Sequence, residues 1–150
     1  MAQEARPKAV LFTCNLNRVR SPMAAALLRR RFGDAIVTES CGLKPAEEVD
    51  PFVVAVMDEI GLDLEHHRPK GFDEVADIPF GLVVSLTPEA QHRAVEMARD
   101  RPVVIEYWPT LDPTLTEGTR DQRLEAYRQM RDELDRRLAE RFGRPSTFGG

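Results

Sequence analysis

One stretch, Cys14-Asn15-Leu16-Asn17-Arg18-Val19-Arg20-Ser21-Pro22, carries the strongest chemical signal in the sequence. It follows a compact apolar run, Ala9-Val10-Leu11-Phe12-Thr13, that reads as a buried strand. Ser21-Pro22 then opens a helix, since serine is a favoured N-cap and proline suits the first helical position. A loop between a strand end and a helix start can turn its backbone N–H groups inward, and the helix adds its positive dipole end. The expected product is an oxyanion cradle with the Cys14 thiol at its base. N–H groups and the Arg20 guanidinium around a sulfur favour its anionic, nucleophilic form. A thiolate beneath a bound phosphate is placed to attack phosphorus. Arg20 can hold two phosphate oxygens and meet the charge spread over the transferring group. The Ser21 hydroxyl can donate to the sulfur when it leaves. The plainer reading is a buried thiol in an ordinary turn with a surface arginine. Cysteine and arginine six positions apart are common by chance, but the whole strand, cysteine, arginine, serine-proline and helix combination is not.

Those residues need a frame. The opening helix runs through Met23, Leu27 and Leu28 to Phe32 and is stopped by Gly33. Ala35 to Thr38 reads as a second strand, ending near Ser40-Cys41-Gly42. Asp50-Pro51 opens a helix with Val53, Val54, Val56, Met57 and Ile60 on its apolar side. Leu82 to Leu86 is a third strand, Thr87-Pro88-Glu89 caps a helix reaching about Arg99, and Val103 to Ile105 is a fourth strand. A long amphipathic helix spans about Thr119 to Phe142, with Leu124, Tyr127, Leu134 and Leu138 on its buried side. Strands alternating with helices predict an α/β fold, a parallel sheet with helices on both faces. Ligands of such sheets bind beyond the carboxyl ends of the strands, which is where residues 14–20 fall.

Composition narrows the classes. The 150 residues suit one domain, 1–150, with a frayed tail at 143–150. With 21 basic and 25 acidic residues the net charge is -4, which argues against a nucleic-acid partner bound by charge. No apolar run approaches the roughly 18 residues that span a bilayer, so no membrane partner is expected and cytoplasm is the expected compartment. Two cysteines, Cys14 and Cys41, are too few for a disulfide framework or a four-cysteine zinc site.

Phosphate-ester cleavage also needs a proton for the leaving oxygen. Asp112, in Trp108-Pro109-Thr110-Leu111-Asp112-Pro113-Thr114, follows the fourth strand, whose end faces the same side as the Cys14 loop. By spacing alone an Asp-Pro turn is the simpler reading. Trp108 either lends an aromatic wall to the site or closes the core, and the core is preferred. Cys41 ends the strand beside the first; it is read as a small buried residue in preference to a disulfide partner for Cys14. His66 and His67 are adjacent and cannot chelate together, His92 reads as solvated, and Arg29-Arg30-Arg31 suits a helix C-terminus.

The run from Val10 through Cys14 to Arg20-Ser21-Pro22-Met23-Ala24 resembles the signature of the low-molecular-weight protein tyrosine phosphatases, a strand, then C-x₅-R-S-P, then a helix. Glu39-Ser40-Cys41-Gly42 is similar to that family's serine-rich end of the second strand. His67-Arg68-Pro69-Lys70 is similar to its histidine-basic stretch, and Asp112-Pro113 to its acid loop. The resemblance implies a doubly wound, four-stranded parallel sheet and a phosphocysteine mechanism without metal or cofactor. It casts Cys14 as nucleophile, Arg20 as phosphate clamp and Asp112 as general acid. Asn15, Leu16, Asn17, Arg18, Val19, Arg20 and Ser21 would surround the phosphate. Asn17 matches an asparagine whose strained backbone shapes the loop, held by a polar network of Ser21, Ser40 and His67. The implied partner is a phosphorylated protein or a small aryl phosphate.

Departures from the pattern are informative. Leu16 replaces a glycine common in the family, which tightens the sterics if that position needs positive φ and otherwise places a side chain on the rim. Val19 replaces a frequent second cysteine. Arg18 either adds positive charge to the rim, favouring anionic substrates, or is simply solvated. Thr114 and Leu115 stand where eukaryotic relatives often carry aromatics. Thioredoxin-coupled arsenate reductases share the fold and loop, but relay a disulfide through two cysteines after the third strand, and residues 82–108 contain none. A non-catalytic phosphoprotein-binding module is the third alternative, opposed by the joint presence of Cys14, Arg20, Ser21 and Asp112.

Overall fold

The computed structural model describes residues 6–143. Four strands, β1 (Ala9–Cys14), β2 (Val37–Gly42), β3 (Leu82–Ser85) and β4 (Val104–Tyr107), alternate with helices α1 (Arg20–Phe32), α2 (Pro51–Asp58), α3 (Pro88–Ala98) and α4 (Arg120–Phe142). All neighbouring strands pair in parallel, in the order β2-β1-β3-β4. The chain leaves β1 for β2 on one side and reaches β3 on the other. The carboxyl end of β1 is therefore the switch point at which open α/β sheets form their crevice.

The alternating pleat of β1 divides the core. Val10, Phe12 and Cys14 face a cluster built with Met23, Leu27 and Leu28 of α1, Val53 and Met57 of α2, and Tyr127, Leu134 and Leu138 of α4. Ala9 and Leu11 face the other side, with Cys41, Phe72, Val83 and Ala94 of α3. β1 is buried along its whole length, as a central parallel strand must be. A fully buried side chain such as Phe12 or Leu27 contributes about 1.5–3 kcal/mol. Trp108 joins this core, buried and edge-on to Phe12 at 6.3 Å, so it closes the sheet and forms no aromatic wall.

Several expected boundaries move. The second strand begins at Val37, because Gly33–Ala35 forms a 3₁₀ turn in which Gly33 takes φ 53°. The third strand stops at Ser85, and the fourth runs to Tyr107. Ser21 does not cap α1. Val19 holds the N-cap position, with no side-chain cap, and the Ser21 hydroxyl is committed elsewhere. Thr119 caps α4 through a reciprocal pair with Gln122, and Thr87 caps α3. No helix among the described residues is long and apolar enough to cross a membrane. The expected frayed tail lies outside the described residues apart from Gly143, which ends α4 with φ 73°.

Candidate active site

The loop after β1 is held from outside by its carbonyls. Those of Cys14, Asn15, Leu16 and Arg18 accept from the backbone N–H groups of Leu43, Lys44, Ala46 and Asp50, at 3.1, 2.8, 3.0 and 3.1 Å. With the carbonyls turned out, the amides from Asn15 to Arg20 donate to no described residue. α1 begins at Arg20 with no capping side chain over its first turn. A ring of unpaired N–H groups closing on an uncapped helix start can cradle an anion.

Cys14 sits at its base, buried, with Sγ 2.9 Å from Ser21 Oγ. This contact explains why Ser21 does not cap the helix. Its hydroxyl also accepts from Asn17 Nδ2 at 2.9 Å, and Asn17 Nδ2 donates to Ser40 Oγ at 2.9 Å. Asn17 Oδ1 accepts from the Lys70 backbone N–H at 2.9 Å. His67 Nε2 lies 3.0 Å from the Asn17 carbonyl; that oxygen only accepts, so Nε2 carries the proton. Burial holds the His67 pKa below its ordinary value of 6.5, because taking the ring out of water disfavours its charged form. Ser21, Ser40 and His67 thus converge on one fully buried asparagine.

Asn17 needs such support because it, and not Leu16, takes the left-handed backbone, at φ 53°. Leu16 has ordinary φ and an exposed side chain on the rim. Val19 is buried in the core cluster. Gly42 is the residue against which the loop rests: a Cβ there would stand 2.7 Å from Asn17 N and 2.9 Å from Asn15 O. No side chain fits at that position without displacing the loop backbone. Thr87, besides capping α3, donates to Asn15 Oδ1 at 2.7 Å.

The loop that carries Asp112 is tied to the same place. Trp108 N–H donates to the Ser85 carbonyl and Thr110 N–H to that of Leu86, at 2.8 and 3.1 Å. Arg20 Nη1 donates to the Thr110 carbonyl at 2.9 Å, bridging the cradle and the acid loop. Asp112 is two residues beyond that carbonyl, a span of at most about 7 Å. Its Oδ1 accepts from Thr114 N–H and Oγ1 at 2.9 and 2.6 Å, capping a 3₁₀ turn over Pro113–Leu115. The turn-forming role and proximity to the cradle therefore coexist in one residue. A cleft of about 620 Å³ between this loop and α4 is lined by Leu111, Asp112, Leu115 and Met130 and includes none of residues 14–20.

Cys41 does not face Cys14. Thr13 pairs with Cys41 and Cys14 with Gly42, so successive side chains put the two thiols on opposite faces of the sheet. Burial pushes the Cys41 thiol up to about 12. A disulfide between them would require the backbone to move. Asp63, Glu65 and His66 bring three metal-type ligand atoms together, but all are exposed and none lies in the Cys14 loop. His92 is exposed beside Glu96. Arg29 donates to the Thr38 carbonyl, and Arg30 and Arg31 pair with Asp135.

Sequence reading missed three contacts. The Lys70 contact with Asn17 and the Asp50 contact with Arg18 use backbone N–H groups, which any residue offers. The bond from Arg20 to Thr110 spans 90 positions and had no local signal.

The described features coincide with known proteins. A sequence model described as low molecular weight phosphotyrosine protein phosphatase matches residues 9–143. An arsenate reductase of Halalkalibacterium halodurans is 30% identical over 131 residues, 87% of this chain and 92% of that protein. A probable low molecular weight protein-tyrosine-phosphatase of Ralstonia solanacearum, EpsP, is 39% identical over 62 residues, 41% of this chain and 43% of that protein. A solved arsenate reductase in the phosphate binding state superposes with a TM-score of 0.73 at 28% identity, over 89% of this chain and 95% of that one.

Proposed function

The chain belongs to the low molecular weight phosphotyrosine protein phosphatase family, and from that premise we propose that it is a phosphomonoester hydrolase acting on tyrosine phosphate through a phosphocysteine intermediate. The observation that carries this reading is the cradle itself. Its carbonyls face out, its amides are unpaired, and the Cys14 sulfur lies at its base against the Ser21 hydroxyl.

The phosphoryl group is held by the loop amides of residues 15–20 and by the Arg20 guanidinium. Cys14 attacks phosphorus as thiolate, and the P–O bond to the leaving group breaks. Asp112 delivers its proton to the departing oxygen. In the second half, Asp112 takes a proton from water as that water attacks phosphorus. The P–S bond breaks, phosphate leaves, and the Ser21 hydroxyl donates to the sulfur as it regains its charge. Asn17, held by Ser40 and His67, keeps the loop in the shape that turns its amides inward.

The curated arsenate reductases among the relatives give a second reading, in which the same cradle takes arsenate. Reducing arsenate needs two electrons. Within one chain this requires a second thiol able to attack a sulfur bound to arsenic or a mixed disulfide. The second cysteine here, Cys41, is buried on the opposite face of the sheet. That observation favours hydrolysis.

One paired assay separates the readings. Purified protein should hydrolyse an aryl phosphate and a phosphotyrosine peptide, with a phosphoserine peptide turned over far more slowly. With arsenate and either a thioredoxin or a glutathione–glutaredoxin supply, reductant consumption should stay at background. Arsenate-dependent consumption together with no ester hydrolysis would replace this proposal by the reductase reading.

A further inference from the structure

Nearly every half-buried arginine among the described residues has a partner. Arg20 donates to the Thr110 carbonyl, Arg31 pairs with Asp135 and Arg128 with Glu59, and Arg93 and Arg137 lie over the Phe72 and Trp108 rings. Arg18 has none. It is half-buried in the middle of the cradle loop and its Nε is buried without a hydrogen-bond partner. It makes no ion pair or ring contact with any described residue. The nearby candidate counter-ion is already engaged: Asp50 Oδ1 accepts from the Phe52 N–H and Oδ2 from the Tyr127 hydroxyl, both at 2.8 Å. The Asp50 backbone N–H, meanwhile, fixes the Arg18 carbonyl at 3.1 Å.

A guanidinium taken partly out of water with a donor unmet is costly. Such groups are rare unless a partner arrives from outside. We propose that Arg18 is a specificity-determining residue whose guanidinium receives a second anionic group of the substrate, a carboxylate set beside the phosphoryl group. The inference rests on the phosphomonoesterase reading and deepens it. Arg18 is two residues from Arg20, so the two cations stand on backbone positions no more than about 7 Å apart. A carboxylate that reaches Arg18 while phosphate fills the cradle must belong to the phosphorylated residue's immediate neighbourhood. The matching substrate class is tyrosine phosphate flanked by Asp or Glu. The overall charge of -4 opposes such a substrate, so a preference for it has to come from a local cation.

Three phosphotyrosine peptides that differ only in flanking Glu, Ala or Lys test this, because their leaving group is the same. In wild type the Glu-flanked peptide should have about tenfold higher kcat/KM than the Ala-flanked one, mostly through KM, as expected for a charge-assisted hydrogen bond. Arg18→Gln should erase the preference, and Arg18→Glu should shift it to the Lys-flanked peptide. Added salt should erode the wild-type preference, a readout that needs no variant. Equal kcat/KM for the three peptides in wild type would overturn the assignment. So would an unchanged preference in both variants, or turnover of phenyl phosphate with none of the peptides. Any of these would leave the hydrolase reading standing, whereas no turnover of phenyl phosphate either would overturn both.

Discussion

Cys14→Ser should lower turnover of aryl phosphates by roughly 10³-fold or more, because a hydroxyl replaces the thiolate that attacks phosphorus. Binding of phosphate or vanadate should survive within a few-fold. The reason lies in the division of labour at the site. In the proposed mechanism the anion is held by loop amides left free to face inward, because the carbonyls of Cys14, Asn15, Leu16 and Arg18 are bonded outward. Serine keeps that backbone and can keep a hydrogen bond to Ser21, which now lies 2.9 Å from the sulfur. Steady-state turnover and anion titration on one preparation check both halves. Wild-type turnover in the variant would remove Cys14 from the mechanism. Loss of anion binding together with activity would mean that the sulfur builds the cradle as well.

Asp112→Asn should lower kcat by about 10²–10⁴ for esters with poor leaving groups, the usual worth of a general acid. Asparagine caps as well as aspartate does, so the turn over Pro113–Leu115 that Asp112 now supports should persist. The substitution therefore removes the proton and spares the loop. Across aryl phosphates of rising leaving-group pKa, the deficit of Asp112→Asn should grow, since an acidic phenol departs without protonation. A deficit of constant size across the series would assign Asp112 a structural task only.

What was legible in the sequence is what local chemistry writes. The buried run from Ala9 to Thr13, the helix-stopping Gly33 and the Thr87-Pro88 cap each follow from a few neighbouring residues. The order of strands and helices then leads to the parallel sheet and to the end of β1 as the site. Ser21 was misread as a cap because serine before proline at a helix start has two uses. Only the fold, which sets Cys14 and Asn17 against it, selects between them. Strain is found at Asn17, where the family resemblance places it and where hydrogen bonds from both sides hold it, whereas Leu16 has ordinary φ and carries none. Sequence spacing brought Cys41 near Cys14, but the pleat register separates their side chains. The requirement for glycine at position 42 was invisible, because it comes from a loop 25 residues earlier lying across it.

The most direct test of the account is to catch its intermediate. Wild-type protein is mixed with a fast-leaving aryl phosphate, quenched within the first turnover, digested and analysed by mass spectrometry. The account predicts a phosphoryl adduct on the peptide that carries Cys14, labile as a thiophosphate should be and absent from Cys14→Ser. Turnover that proceeds with no adduct at Cys14, or with the phosphoryl group on another residue, would contradict it.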